Sequence, residues 1–212
     1  MEFKDNGEPI RNIPVSSRPF DMAIIDTELI AVSYGRGKSV EIMKLKNYVF
    51  TRKMKFSDSC YGISYKDGKL YTVVYNEGIV MKDLTGKTLN TIKCDVRYVD
   101  YVITTKDRIY YTNYNRNTVY CCKMTGDIIW VFTDASVHGP SGLSVDNNLN
   151  VFIVGLRSNN LTVIQHDGTI SKQLLTESNG LNRPRVVYFE KNNKVLFVGN
   201  IENGYACLYQ VI

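Results

Sequence analysis

Apolar and polar positions alternate along the chain in short runs, and the runs recur. Five of them read LIAVSYG (29–35), LYTVVYN (70–76), IYYTNYN (109–115), VFIVGLR (151–157) and VLFVGNI (195–201). Aligning Tyr34, Tyr75, Tyr114, Gly155 and Gly199 gives steps of 41, 39, 41 and 44 residues. An earlier run in each unit (FDMAIID, YGISYKD, VDYVITTKD, SGLSVDN, RVVYFEK) keeps the same step, and Asp26, Asp67, Asp107 and Asp146 close four of these. Third runs end in turns carrying Gly86, Gly126 and Gly168, and a more polar fourth run follows, such as KTLNTIKC or TISKQLLT. A fixed period of about 40 marks an array of structural repeats.

Each run has the length, β-branched and aromatic content and turn boundaries of a strand, and no dozen residues carry a helical stripe. The unit is therefore an antiparallel sheet of four strands. One such sheet cannot bury both faces alone, so neighbours must stack on it. Radial stacking of four-stranded blades predicts an all-β propeller with five clear repeats. A Greek-key sandwich explains the strands but not the period.

The expected blades are 16–56, 57–95, 96–135, 136–179 and 180–212, the last lacking its outer strand, with 1–15 a partial blade in a single domain. MEFKDNG parallels the third run VYCCKMTG, and Gly7 lies 79 residues before Gly86, about two periods. Residues 8–15 are thus expected either to pair beside 204–212 and close the ring, or to belong to a larger parent with domains upstream.

Composition changes this picture little. The chain has 212 residues, 44% of them hydrophobic, 15 tyrosines and a net charge of +5, which permits an acidic partner without demanding one. Cys60, Cys94, Cys121, Cys122 and Cys207 are odd in number and form no CxxC pair, so a disulfide framework or zinc site is not expected. The N-terminus is polar and no apolar run approaches the roughly 20 residues of a spanning helix. The expectation is a soluble, cytoplasmic chain with reduced thiols.

The stretch GPSGLSVDNNLNVFIVGLRSNNLTVIQHDGTISKQLLTESNGLNRP (139–184) resembles a blade of the NHL-repeat propellers at the C-terminus of tripartite-motif (TRIM) proteins. It has the Pro-x-Gly-ϕ-x-ϕ-Asp entry, an Asn-ϕ-x-ϕ second strand and a third strand closing in Asp-Gly. The resemblance covers essentially the whole chain, best over 137–200. It implies a binding module for protein or RNA, whose parent would draw ubiquitin-ligase activity from RING, B-box and coiled-coil segments that this sequence does not contain. RIYYTNYNRNTVYCCKMTG (108–126) is also similar to the YWTD repeat of lipoprotein-receptor propellers, with Tyr111, Thr112 and Asn113 near the signature. One unit fits that pattern, and the unpaired cysteines argue against it.

A lactonase-like propeller hydrolase, holding a divalent ion at the channel mouth, is the enzymatic alternative. Asp21 and Asp100 stand near the starts of inner strands, but the equivalent places elsewhere are Gly62, Gly142 and Val186. His138 and His166 fall at opposite ends of their blade, too far apart to share a metal or a triad. Ser141 in GPSGLS lacks the following helix that a nucleophile elbow requires. The expectation is a non-catalytic chain with no cofactor, no metal and no small-molecule substrate.

Arginine placement is the more informative signal. Connections into strand one and between strands two and three leave a four-stranded blade on the same face. Arg36, Arg116 and Arg157 fall in the second kind, and Arg18, Arg97, Arg183 and Arg185 stand at or near the first, so seven of the ten arginines map to one rim. Tyr34, Tyr98, Tyr114 and His138 lie among them. Asp58, Glu77, Asp95, Glu177 and Glu202 partly offset that charge, while lysine is spread over both ends. Arginine forks with interleaved aromatics suit single-stranded RNA or an acidic protein partner. These eleven residues are the candidate ligand-binding set.

Overall fold

The computed structural model describes residues 2–3, 8–94, 97–202 and 204–211. A short N-terminal hairpin, β1 (Glu2–Phe3) and β2 (Pro9–Arg11), precedes five blades. Blade I is β3 (Asp21–Ile24), β4 (Leu29–Ser33), β5 (Ser39–Lys44) and β6 (Val49–Lys55). Blade II is β7 (Cys60–Lys66), β8 (Lys69–Val74), β9 (Gly78–Asp83) and β10 (Thr88–Ile92). Blade III is β11 (Val99–Thr104), β12 (Arg108–Asn113), β13 (Thr118–Lys123) and β14 (Ile128–Thr133). Blade IV is β15 (Pro140–Val145), β16 (Val151–Gly155), β17 (Asn160–Ile164) and β18 (Ser171–Leu175). Blade V has, among the described residues, three strands, β19 (Pro184–Glu190), β20 (Val195–Asn200) and β21 (Ala206–Gln210). Every pairing is antiparallel and sequential, so the predicted five-bladed β-propeller is the fold.

Side-chain alternation gives each blade two apolar faces, and the core lies between blades. Ala31, Val40, Ile42 and Met54 of blade I meet Ile63, Leu70 and Val80 of blade II. Blades II and III share Val73, Ile79, Ile109 and Tyr111, and blades III and IV share Tyr110, Trp130, Val151 and Ile153. Blades IV and V share Val154, Leu161, Phe189 and Leu196. Burying one such Leu, Ile or Phe contributes about 1.5–3 kcal/mol, so each seam is a substantial tie.

Polar bonds fix the same seams at repeat spacing. Asp21 Oδ2 accepts from Ile63 N–H at 2.9 Å, Ser64 Oγ from Thr104 N–H at 3.0 Å, and Ser144 Oγ from Phe189 N–H at 2.9 Å. The inner strands approach closely where they carry glycine. A Cβ on Gly62 would lie 2.5 Å from the Asp100 carbonyl oxygen, and one on Gly142 would lie 2.7 Å from that of Arg185. Sheet-to-sheet contact, rather than the lack of a ligand role, accounts for glycine at these two places.

The N-terminal hairpin corrects one expectation. Among the described residues, Pro9–Arg11 pairs with Glu2–Phe3 and not with β21, so residues 8–15 do not supply the outer strand of blade V. They find better partners on blade I: Ile13 packs on Ile30, Val32, Tyr34 and Met43, and the Arg11 guanidinium sits 4.8 Å over the Tyr48 ring. Gly7 and Asp95, used above as markers, lie outside the described residues. The five cysteines form no disulfide among the described residues, and no helix among those residues is long and apolar enough to cross a membrane.

Candidate functional site

The rim predicted from topology exists. Connections into strand one and loops between strands two and three meet on one face: Tyr114 N–H donates to Tyr98 O at 2.9 Å, Leu156 N–H to Gly139 O at 3.0 Å, and Ile201 N–H to Arg183 O at 3.1 Å. Lys38, Asn76, Asn117 and Asn159 take left-handed backbone at equivalent points of the loops before the third strand. Asparagine tolerates that conformation better than most residues, and here its side chain also ties loops together. Asn117 Oδ1 accepts from Gly139 N–H at 2.8 Å, and Asn159 Oδ1 from Arg183 N–H at 2.7 Å, each the entry residue of the next blade.

These staples build one groove. Tyr114, Leu156, Arg157, Asn159, Asn182, Arg183 and Glu202 line an open hollow of about 610 Å³ shared by blades III, IV and V. The Arg157 guanidinium lies 4.4 Å over the Tyr114 ring, an arrangement worth roughly 0.5–1 kcal/mol at an exposed site. Gly139 makes that stack possible: its φ is +61°, and a Cβ there would fall 2.7 Å from the Tyr114 ring. Arg183 pairs with Glu202, and His138 Nδ1 is 3.5 Å from Asn117 Nδ2. Arg116 and His138 are exposed beside the groove.

The other candidates spread around the ring. Arg18 and Arg36 are exposed on blade I, and Arg97 and Tyr98 on the entry to blade III, where Tyr98 is 60% exposed with φ +65°. Two candidates leave the rim. Tyr34 is 3% exposed, buried in the cluster behind blade I with Ile30, Val32 and Met43. Arg185 turns inward: its Nε donates to the Tyr101 hydroxyl at 3.1 Å, Nη2 lies 3.8 Å from Asp100 Oδ2, and its guanidinium is 5.3 Å from the Phe20 ring. The remaining arginines do structural work. Arg52 donates to Thr85 O at 2.8 Å and Arg108 to His166 O at 2.7 Å, joining neighbouring blades at the opposite end. His166 thus sits in a turn there, away from His138. Of the offsetting acids, Asp58 pairs with Lys38 at 3.3 Å.

Arg185 belongs to a second constellation, at the channel mouth, with Phe20, Tyr61, Asp100, Tyr101 and Asp21. Phe20 plugs the mouth, 5.0 Å from Tyr61 and 5.7 Å from Tyr101 between ring centres. Burial pushes the Asp21 carboxyl up to about 6 despite bonds from Ile63 and Met22 N–H. Burial also raises Asp100, opposed by the Arg185 charge. No group of three or more His, Cys, Asp or Glu among the described residues is placed to hold a metal ion.

The sequence reading missed Leu156, Asn159 and Asn182 of the groove and the Asn117 staple to Gly139. A signal was visible for the two staples: Asn76, Asn117 and Asn159 recur at nearly the repeat spacing, in YNEG, NRNT and SNNL.

No protein-family model matches the chain. Over 102 residues, 47% of the chain, it is 28% identical to the E3 ubiquitin-protein ligase TRIM56 of Mus musculus, and the match spans 14% of that ligase. Virginiamycin B lyase from Staphylococcus aureus, in its selenomethionine form, superposes over 99% of this chain and 76% of its own with a TM-score of 0.70 at 15% identity. Its catalytically inactive histidine-to-alanine variant with quinupristin gives 0.70 at 15% identity over 98% and 75%. A streptogramin B lyase gives 0.64 at 11% identity over 94% and 86%. The chain is thus a β-propeller with weak similarity to TRIM56, and at these identities the lyases share its fold alone.

Proposed function

We propose that this chain is a non-catalytic, NHL-type recognition module whose arginine rim binds single-stranded RNA. The observation that carries the reading is the groove of blades III to V, where Arg157 stacks on Tyr114 and Arg116, Arg183 and His138 surround it. Arginine forks take phosphates in a planar, two-pronged contact, and exposed rings such as Tyr98 offer a base a stacking face. Any ligase activity would reside in segments of a TRIM-like parent, and the chain would work in the cytoplasm.

The test is fluorescence anisotropy with mixed-sequence single-stranded RNA at two salt concentrations. The expected result is binding that weakens steeply with salt. Replacing Arg36, Arg116 and Arg157 together by Ala should weaken it at least tenfold while moving Tm little. Failure to bind at low salt would sink the RNA reading and leave an acidic protein as the partner to seek on the same rim.

A propeller enzyme is the second reading, favoured by Asp21, a buried carboxyl near pKa 6 that acts on Tyr101 at the channel mouth. Under it, quinupristin, the compound bound by the inactive staphylococcal lyase, should be consumed, and Asp21→Asn should abolish that turnover while leaving RNA binding untouched.

A further inference from the structure

Blades I to IV each end in an outer strand whose far edge has no strand partner among the described residues. Three of these edges are guarded. β6 (VFTRKMK) exposes Arg52, Lys53 and Lys55, and β18 (SKQLL) exposes Lys172. β10 (TLNTI) carries Thr88, Asn90 and Thr91 and stands between Lys87 and Lys93. Charged and polar side chains on an edge keep other chains from pairing with it. β14 lacks them: it reads IIWVFT, apolar up to its last residue, Thr133.

Packing accounts for only part of that apolar strand. Trp130 and Phe132 are buried in the cluster shared with blade IV. Ile128, Ile129 and Val131 are 51%, 41% and 51% exposed. Val131 and Ile128 are the register partners of Tyr120 and Cys122 on β13, which pack towards blade II, and Ile129 falls at the register shift between them. Beyond that bulge the register is regular from Trp130 to Thr133, so this part of the edge is a flat, uncharged template.

Charge says what fits beside it. Asp127 and Asp134 bracket the strand. Asp127 Oδ2 accepts from the Thr125 hydroxyl at 2.7 Å and Asp134 Oδ1 from Ser136 N–H at 2.7 Å, each within its own turn. Bonds from Ser136 hold the Asp134 carboxyl below the usual carboxylate range. A second copy of the chain is a poor match. Antiparallel self-pairing along the whole strand would set Asp127 of each copy beside Asp134 of the other, like charges at both ends.

We propose that the outer edge of β14 docks an extended segment of another protein, a short run of β-branched or aromatic residues bracketed by lysine or arginine. The segment adds a fifth strand to blade III. Its backbone pairs with Trp130–Thr133, its apolar side chains cover Val131 and Ile128, and its end charges meet Asp127 and Asp134. At strand rise the distance from Asp127 to Asp134 is roughly 24 Å, which sets the basic residues about six or seven positions apart. This edge belongs to a strand, whereas the arginine groove is built from loops, so the proposal stands whether or not the rim binds RNA.

The experiment titrates the 212-residue chain with the synthetic peptide Lys-Val-Thr-Val-Ile-Thr-Val-Lys. Binding is followed by the fluorescence of Trp130, the only tryptophan in the sequence, and by hydrogen–deuterium exchange. The expected result is a saturable fluorescence change, with exchange slowed at 130–134 and unchanged in the rim loops. Replacing both peptide lysines by glutamate should weaken binding at least tenfold, and methylating its central backbone nitrogens should abolish it. Val131→Lys, which gives β14 the guard that β6 has, should weaken binding at least tenfold with Tm nearly unchanged. No binding at millimolar peptide overturns the proposal, as does equal binding by the glutamate or the methylated peptide. A large Tm loss in Val131→Lys would mean that the side chain is already packed, and overturns it too. A dimer of the unmodified chain, seen by sedimentation equilibrium and dissociated by Val131→Lys, would assign the edge to a second copy and overturn it equally.

Discussion

Tyr98 holds a left-handed backbone with a large exposed side chain, a costly combination for a residue bearing a Cβ. Nothing in the packing requires that ring, whereas an RNA base would use it. Tyr98→Gly should therefore stay within about 1 kcal/mol of wild-type stability yet lose roughly 1–3 kcal/mol of RNA affinity. Denaturant melts beside anisotropy measure both. Gly139→Ala should do the opposite kind of damage. With φ +61° and the Tyr114 ring in the way, it should destabilise the fold by about 1–3 kcal/mol and break the Arg157 stack, which a crystal structure of the variant would display. Asp21 adds a pH dependence. Its folded pKa, about 6, lies above the ordinary aspartate value of 3.8, so the native state binds the extra proton between these values. Its contribution then favours folding at low pH and fades as pH rises from 4 to 6. A fall in wild-type Tm across that window, absent from Asp21→Asn, is the expected profile.

Strands and turns were legible because their causes are local. The recurring Asp26 and Asp146 cap their turns: Asp26 Oδ1 accepts from Glu28 and Leu29 N–H, and Asp146 Oδ1 from Asn148 and Asn150 N–H. The recurring Gly126 and Gly168 have a further cause that the sequence could not display. A Cβ on Gly126 would lie 2.7 Å from Ile92, and one on Gly168 2.7 Å from the Trp130 ring, so each third-strand turn tucks under the outer strand of the preceding blade. Trp130 also donates from Nε1 to His166 O at 3.1 Å. Trp130→Ala should then cost about 3–5 kcal/mol, loosening the seam of blades III and IV, with chemical denaturation as the check. Tyr34 and Arg185 were misplaced because loop position says which end a residue occupies but not which way its side chain turns. Neighbours decided each: the cluster of Ile30, Val32 and Met43 for Tyr34, the Tyr101 hydroxyl for Arg185.

Over the whole molecule, ten arginines divide by end and by duty. Arg52 and Arg108 latch blades through backbone carbonyls at one end, Arg11 stacks on Tyr48, and Arg185 reaches into the channel mouth. Arg18, Arg36, Arg97, Arg116, Arg157 and Arg183 stand exposed on the rim, on a mount stiffened by inter-blade seams and asparagine staples. The sequence carried the rim's location through the repeat, but the groove needed three blades brought together before it existed. The central claim is that this rim is where RNA lands. Hydrogen–deuterium exchange with and without single-stranded RNA tests it most directly. The account predicts slowed exchange in the loops at 35–38, 114–117 and 156–159 and in the entries at 97–98 and 138–139, with the turns at 84–87, 125–127 and 166–169 unchanged. Protection confined to those opposite turns, or none at all under conditions where RNA is bound, would contradict it.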